Sequence, residues 1–501
     1  MYSDSGEGFL AWRGTLLGRL NCIIVPDSEN ISYDSARFLN LWSPGQYIFP
    51  GVISLSGVQL GMAITITCAL CFLLGLLGWI KVSKKFLPNS KAIIAIVFAV
   101  GLFRYSTLPF GIYNGGEVLL QAVTPWIILG TFKVPYLSAM RAGLLAGGLV
   151  FIAFLTKITG LIVVGSGLIA GGMVALRRMR RVTPGMVGGS VSALIVVGAI
   201  YELFLSKGST QLSRAWAPGQ GGINWSFPLD GVIFSVAGPW VAGISWTDLL
   251  AWIFLHPGRE LVQSWVALVW FMVPPALIVA SLVVLWEAKT ESESDLRTFT
   301  VWFYGVTVAT FVLLYILRAD VGYEERHFRS AGTLLFVAAL IGSIGPKVPD
   351  WLRYTFVALV VSMALYGLAS FSSRALAAAD GHAIDLTSWT NQPLVDQSAI
   401  RYLQAEYLHE GREALFVIPS PDIVVTLPLE ARVIALHIDF QRETEIAALR
   451  YRGRVPGHIF ILIQNRIADS PKGEALLRAF VDYNPQTWTR KTFSTSTVFI
   501  Q

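Results

Sequence analysis

The chain has 501 residues, of which 54% are hydrophobic and only 14% are charged, and its mean hydropathy is +0.59. A soluble domain is about 45–50% apolar and roughly a quarter charged, so this composition excludes an ordinary water-soluble protein. The net charge of +6 does not indicate nucleic-acid binding, because the lysines and arginines cluster between hydrophobic runs.

The opening segment, residues 1–50, is polar, acidic at its start and rich in turn residues. Asp4 and Glu7 are three residues apart, so on a helix they share one face. A carboxylate there could remove the proton of a hydroxyl nucleophile, and the alternative is that both residues cap and solvate an interfacial helix. Trp42 and Tyr47 suit contact with a sugar ring, although a place in the membrane-interface belt or the core of the loop is the other interpretation.

The apolar residues that follow occur in runs near the length that spans a bilayer as a helix, about 17–25 residues. They predict a transmembrane domain over residues 51–372 with about ten helices and a long outer loop at 206–259. The predicted spans are residues 52–80, 91–108, 117–130, 142–155, 161–176, 187–205, 265–286, 299–316, 333–344 and 356–371.

The basic residues between these spans predict their orientation. Lysines and arginines occur on alternate turns, at 81–91, 133–141, 177–181, 289–297 and 347–353. By the positive-inside rule that side is the cytoplasm. The opening segment and the C-terminal region then face outward, and we expect one membrane helix to precede Met1 in the complete protein. The alternative is a chain whose N-terminus is itself outside.

The composition changes at about residue 373 to that of a water-soluble domain. Residues 395–408, with Asp396 as a cap, and 471–481 have helical spacing. Short apolar runs at 414–418, 433–438 and 458–463 and the alternating stretch 492–500 predict strands. We therefore expect a small α/β domain over residues 373–501, and no phosphate loop, zinc spacing or nucleophile elbow in it indicates chemistry.

Two ionisable residues occur where predicted spans end, and ionisable residues at a membrane are costly enough to suggest function. Glu117 follows a Gly-Gly pair at the start of an apolar helix, where it could be a second acid in an outer cavity or simply complement the helix dipole. Lys157 separates two apolar runs by a few residues. It could bind a substrate phosphate as a point charge or extend its amine to the interface.

The loop before the predicted span 333–344 contains two guanidinium groups, Arg326 and Arg329. A guanidinium binds phosphate oxygens in a fork, so both are candidate phosphate ligands. The alternative is an internal ion pair of Glu325 with either arginine. His327 is a further candidate for contact with a sugar or an acceptor, and His256, His327 and His382 lack metal-ligand spacing.

These features together resemble the GT-C fold of polyprenyl-phosphate-dependent glycosyltransferases, such as the protein O-mannosyltransferases and the lipid A aminoarabinose transferases. The resemblance rests on the acids of the first outer loop, the acid that opens a later helix, the turn Leu155-Thr156-Lys157 and the segment Glu325-Arg326-His327-Phe328. That family usually has adjacent Asp-Glu in the first loop, whereas this chain has Asp4-Ser-Gly-Glu7.

The resemblance implies an inverting glycosyltransferase that uses a polyprenyl-phosphate-linked sugar and a glycan, lipid or protein acceptor. It assigns the base to Asp4 or Glu7, a second acid to Glu117, and the phosphate-side cations to Lys157 and Arg326 or Arg329. We expect no cofactor, and a divalent metal is permitted but not required. The expected location is the cytoplasmic membrane, with the C-terminal domain outside.

Two other classes of protein fit the same composition. In a transporter or a lipid or oligosaccharide flippase, the charges would line a pathway, although inverted repeats typical of transporters are not evident in the sequence. A non-catalytic scaffold of envelope assembly would have its outer pocket filled by side chains. The distribution of charge distinguishes them, because acids gathered in one pocket favour an enzyme and charges along the full thickness favour transport.

Overall fold

A computed structural model describes residues 3–40, 42–86, 90–111, 113–207, 229–244, 291–317, 325–343, 348–380, 396–436, 438 and 441–501. The chain divides into two compact units. The first, called the polar unit here, comprises Met1–Thr67, Phe110–Gly115 and Arg374–Gln501. The second, called the helical unit, comprises Cys68–Pro109 and Gly116–Ser373.

The described helices are, in chain order, α1 (Ser3–Leu16), α2 (Gly45–Ser54), α3 (Leu60–Phe86), α4 (Ser90–Gly101), α5 (Arg104–Gly111), α6 (Gly116–Lys133), α7 (Ala139–Thr156), α8 (Gly160–Met179), α9 (Pro184–Leu203), α10 (Leu229–Ile244), α11 (Glu291–Ile316), α12 (Arg329–Ser343), α13 (Asp350–Asp380), α14 (Gln397–Glu410), α15 (Glu443–Ala447), α16 (Asn465–Ala468) and α17 (Pro471–Arg478). The strands are β1 (Cys22–Pro26), β2 (Asp34–Phe38), β3 (Leu415–Ile418), β4 (Arg432–Ala435), β5 (Ile459–Gln464), β6 (Thr489–Thr492) and β7 (Ser496–Ile500).

Seven stretches of helix in the described part of the chain are long and apolar enough to cross a membrane. They are Leu60–Phe86, Gly116–Tyr136, Ala139–Thr156, Gly160–Met179, Pro184–Lys207, Glu291–Ile316 and Asp350–Ser373. Together with the C-terminal sheet, they confirm a polytopic α-helical membrane protein with a small α/β domain. The predicted span at 265–286 lies outside the described residues.

Five predicted spans differ clearly from the observed helices. Helix α11 begins at Glu291 rather than at residue 299, and α13 covers Asp350–Asp380 rather than residues 356–371. The first span begins at Leu60 rather than at residue 52, because α2 ends at Ser54 and a turn with Gly57 at φ +87° follows it. The predicted helix 91–108 is two short helices, α4 and α5. The hydroxyl of Ser106 donates to the carbonyl of Val100 at 2.7 Å, so a side chain satisfies a carbonyl near the end of α4. The predicted span 333–344 is the 15-residue helix α12, which begins at Arg329.

Small residues bring the helices of the helical unit close together. A Cβ atom added at Gly147 of α7 would lie 2.8 Å from the Oγ of Ser192 in α9, which is the small-residue contact that membrane helices favour. Elsewhere Phe132 of α6 and Phe299 of α11 stack with their ring centroids 4.2 Å apart. These contacts hold α7 against α9 and α6 against α11.

The polar unit contains a five-stranded sheet in the order β4-β3-β5-β7-β6. Strand β3 is parallel to β4 and β5, whereas β7 is antiparallel to β5 and β6. The four side chains of β6 are exposed, so this strand has no apolar pattern that sequence could reveal. Asp396 precedes α14 but its side chain does not cap that helix. It accepts hydrogen bonds from the backbone amides of Thr495 and Ser496 at 2.6 and 3.0 Å.

The opening segment is folded together with the C-terminal sheet domain rather than being a separate loop. Helix α1, the antiparallel hairpin β1–β2 and helix α2 lie in the polar unit. The guanidinium of Arg13 donates to five carbonyls, those of Val424, Leu427, Pro428, Leu429 and Ala431. The side chains of Arg432 and Asp34 form an ion pair at 2.8 Å.

Candidate functional site

Glu117 is the second residue of α6, and the glycine before it determines where that helix begins. A Cβ atom added at Gly116 would lie 2.4 Å from the carbonyl oxygen of Thr156. Only glycine therefore permits the start of α6 to approach the turn between α7 and α8. This close approach places the Glu117 carboxylate beside Lys157. From the sequence these two residues were separate candidates.

Lys157 and Glu117 form a buried ion pair. The Nζ atom lies 2.6 Å from Oε1 of the carboxylate, and the two side chains are 14% and 6% exposed. Lys157 follows the last residue of α7 in an extended conformation, with φ −161°, which directs it out of the helical path. Burial of both groups makes each depend on the other for its charge to be tolerated.

Arg326 is the second cation beside this carboxylate. Its Nε lies 3.7 Å from Oε1 of Glu117. It belongs to a short 3-10 turn, Glu325–Phe328, that leads into α12. Phe328 anchors the turn, because its ring is fully buried and lies 4.3 Å from the ring of Phe311.

Arg329 is the third cation, and it lies against an aromatic ring. The guanidinium carbon is 3.7 Å from the ring centroid of Tyr105, a distance at which the cation is attracted to the π face. The hydroxyl of Tyr105 donates to Oε2 of Glu325 at 2.8 Å. Sequence reasoning missed Tyr105, since it fell inside a predicted span, although the polar triplet Arg104-Tyr105-Ser106 interrupts that apolar run.

The charged residues border a small cavity within the helical unit. One carboxylate and two guanidiniums lie in its wall, with neutral polar and aromatic residues beside them. The lining residues are Trp79, Tyr105, Glu117, Leu120, Gln121, Thr124, Arg326, Arg329, Ser330 and Thr333. Glu117, Lys157, Arg326 and Arg329 carry a formal charge of +2, and the Glu325 carboxylate held by Tyr105 reduces it to +1; the positive charge suits an anion.

A second small cavity shares Trp79, Tyr105 and Gln121 with the first. Its other walls are almost wholly apolar, and they include Cys68, Cys71, Phe72, Leu76, Val100 and Val118. An anionic group with an apolar extension matches this combination of neighbouring cavities.

His327 lies in the same 3-10 turn and is held in its neutral form. Burial, followed by the charges of Lys157 and Arg326, lowers the pKa of His327 to about 3. Its Nδ1 atom is buried and has no hydrogen-bond partner among the described residues. The ring lies 6.2 Å from that of Phe311. A neutral imidazole in this position can accept or donate one hydrogen bond without adding charge.

Two candidate residues of the opening segment, Glu7 and Trp42, are in contact within the polar unit. Both Asp4 and Glu7 belong to α1, and the indole Nε1 of Trp42 donates to Oε2 of Glu7 at 3.1 Å. Tyr47 is 1% exposed and its hydroxyl donates to the side-chain oxygen of Asn21. This burial favours the loop-core interpretation of Tyr47 over contact with a sugar.

No group of three His, Cys, Asp or Glu side chains within the described ranges could hold a metal ion. The expectation that a divalent metal is not required stays a prediction.

The fold and the spans define a multi-pass α-helical membrane protein with an α/β domain in its polar unit. No protein-family model matches the chain, and no curated protein matches its sequence. The chain is similar to a single-particle cryo-EM structure of the arabinofuranosyltransferase AftD from mycobacteria, with a TM-score of 0.38 and 12% identity. The match covers 98% of this chain and 37% of that protein. At this TM-score the two backbones differ too much for residue roles to be carried between them.

Proposed function

We propose that this protein is a membrane glycosyltransferase that moves a sugar from a polyprenyl-phosphate donor to an acceptor hydroxyl on the outer face of the cytoplasmic membrane. The observation that carries the proposal is the group formed by Lys157, Arg326 and Arg329 around Glu117, beside a cavity. The resemblance of the short motifs at 155–157 and 325–328 to GT-C glycosyltransferases agrees with it.

The charge of this group suits the departing phosphate. When the bond between the anomeric carbon and the phosphate oxygen of a phosphodiester breaks, the leaving polyprenyl phosphate becomes a monoester with a charge near −2. The three cations at the site oppose this developing charge, and fixed cations at the point where charge develops are the largest catalytic effect available to such a site. A phosphate leaving group of this kind needs no separate general acid.

The neighbouring apolar cavity supports a lipid-linked donor rather than a nucleotide-linked one. The two cavities share the walls formed by Trp79, Tyr105 and Gln121, so a phosphate at the cations leaves an apolar chain adjacent to the second cavity. A nucleotide would place polar base and ribose groups there at a cost in desolvation.

The base is proposed to be Asp4 or Glu7. It removes the proton of the acceptor hydroxyl as the oxygen attacks the anomeric carbon opposite the phosphate, which inverts the configuration. The hydrogen bond from Trp42 holds the Glu7 carboxylate in one orientation. Glu117 is engaged by Lys157 and Arg326, so we assign it to the phosphate side, where it holds these cations in place.

The transporter alternative predicts charges through the thickness of the membrane. In α6 and α12, which both contribute to the charged cavity, the ionisable residues that line the cavity lie at the start of the helix, and Lys133 ends α6 away from it. Glu117 is the second residue of α6 and Arg329 is the first residue of α12, whereas residues 118–132 and 330–343 have no ionisable side chain. Charges confined to one level favour an enzyme.

The experiment starts from a strain in which the gene is deleted. The lipid-linked or surface glycan that it loses identifies the product, and complementation with Asp4→Asn, Glu7→Gln and Glu117→Gln tests the carboxylates. We expect either Asp4→Asn or Glu7→Gln to reduce the rate of transfer by about 100-fold or more, because a general base usually contributes that much. Glu202→Gln, which changes an exposed carboxylate of α9, is the matched control. Undiminished transfer by all three variants at normal expression contradicts the mechanism.

A further inference from the structure

Tyr105 contacts two of the charged residues at the candidate site and lines both cavities. It lies just after the break between α4 and α5, in the second position of α5. Its side chain is 3% exposed, and its ring packs edge-on against Phe103 with the centroids 5.2 Å apart. The break in the predicted span is therefore what brings this phenol to the cavity.

The ring and the hydroxyl of Tyr105 act on different partners. The ring supports the guanidinium of Arg329 from one side at 3.7 Å. A guanidinium stacked on an aromatic face keeps the N–H groups in its plane directed sideways, where they remain available to a ligand. The buried Nε of Arg329 has no hydrogen-bond partner among the described residues, which is the state expected of a cation that awaits an anion.

The hydroxyl holds the Glu325 carboxylate by donating to Oε2 at 2.8 Å. Glu325 precedes Arg329 by four residues, a spacing at which a carboxylate and a guanidinium readily pair. A carboxylate drawn toward Tyr105 is less able to neutralise Arg329. The phenol thus presents the cation and restrains its nearest competing anion along the chain.

We propose that Tyr105 is a positioning residue that holds Arg329 ready for an anionic group and keeps Glu325 from occupying its place. The identity of the anion as a polyprenyl phosphate rests on the proposed function. The contacts of Tyr105 with Arg329 and Glu325 do not depend on it.

The test measures binding of two probes, a short-chain isoprenyl phosphate and the corresponding isoprenyl alcohol, to the full-length protein in nanodiscs. For Tyr105→Phe, which keeps the ring and loses the hydroxyl, we expect phosphate affinity to fall about five- to tenfold, as for a weakened charge-assisted contact. The double variant Tyr105→Phe/Glu325→Gln should recover wild-type affinity within about twofold. Alcohol affinity should not change.

Recovery in the double variant distinguishes positioning from general support of the fold, because a damaged fold is not restored by neutralising Glu325. Tyr304→Phe is the matched control, since it removes a phenol that donates to the carbonyl of Val236 at 2.7 Å in the same unit.

The two proposals fail in different ways. If the wild-type protein binds the phosphate no better than the alcohol, the phosphate site and with it the proposed donor are wrong. If it prefers the phosphate but Tyr105→Phe binds it as well as wild type, or the double variant is no better than the single one, only the role of Tyr105 is overturned.

Discussion

Replacing Lys157 by methionine removes the counter-charge that lies 2.6 Å from a carboxylate whose side chain is 6% exposed. Methionine keeps the length and the apolar stem of the lysine. The change therefore isolates the charge, and the remaining Glu117 carboxylate keeps Arg326 at 3.7 Å as its nearest partner in an ion pair.

Removing one partner of a buried pair costs about 3–5 kcal/mol, because the other charge is left without compensation. Arg326 compensates part of the loss, so we expect about 3 kcal/mol for Lys157→Met. Glu117→Gln leaves Lys157 among the like charges of Arg326 and Arg329 and should cost a similar amount. The double variant should cost about 4 rather than about 6 kcal/mol, which is an interaction free energy of about 2 kcal/mol between the two positions.

The assay is thermal denaturation of the detergent-solubilised protein, measured for the wild type, both single variants and the double variant. A loss of 1 kcal/mol lowers Tm by about 2–4 °C in a domain of 150–250 residues. Each single variant should therefore melt about 6–12 °C below wild type. The Tm of the double variant should be well above the value expected from adding the two single decreases.

The control is an exposed pair treated in the same way. Arg353 and Asp350 form an ion pair at 3.2 Å, with side chains 37% and 75% exposed, and such pairs contribute less than about 1 kcal/mol. Additive losses at Glu117 and Lys157, like those expected at this control pair, would refute the buried ion pair and the site built on it.

Three further predictions concern stability. Arg13→Lys replaces a guanidinium that reaches five carbonyls with a point charge, and should lower the free energy of unfolding by about 2 kcal/mol, measured by thermal denaturation. Asp396→Asn should lower the free energy of unfolding by about 0.5–1 kcal/mol at pH 7. Partial burial raises the pKa of Asp396, but hydrogen bonds from residues 494–496 outweigh it and lower that pKa. The difference in stability from wild type should therefore disappear as the pH falls below about 3.8. The pKa of His327 is lowered to about 3 in the folded protein, so as the pH falls the unfolded chain binds a proton at this position first. The free energy of unfolding of the wild type should therefore fall by up to about 1.4 kcal/mol per pH unit below pH 6.5. His327→Asn should not show this decrease.

Each of these has its own contrary outcome. Arg19→Gln alters an exposed arginine close to Arg13, and an equal effect from both changes would contradict the special role of Arg13. A stability difference for Asp396→Asn that persists unchanged at pH 3 would show that lost packing, not the charge, is responsible. Identical pH dependence of wild type and His327→Asn between pH 7 and 5 would contradict a buried neutral imidazole.

Hydropathy and charge spacing are local properties of the sequence. They predicted the features that depend on nearby residues, namely where helices start and which segments form the α/β domain. The helices that begin at Gly116, Ala139 and Gly160 were predicted to within about three residues at their starts, because an apolar run between basic turns leaves the backbone no alternative in lipid. The alternation of short apolar runs with helical stretches likewise predicted the α/β domain. The ionisable residues at the ends of spans were recognised as candidates for the same reason, since a charge there is costly unless it is used.

Only the tertiary structure decided which of these residues meet. Lys157 and Glu117 are 40 residues apart, and Tyr105 and Glu325 are 220 residues apart. No periodicity reports on contacts at such separations, because they depend on how helices pack. Gly116 allows the carbonyl of Thr156 to approach the start of α6, and Ser106 donates to a carbonyl near the end of α4. The sequence reveals neither contact. The same holds for Arg13, whose five acceptors lie more than 400 residues along the chain. The residue types that could carry charge are local information, whereas their arrangement around one cavity is a consequence of packing.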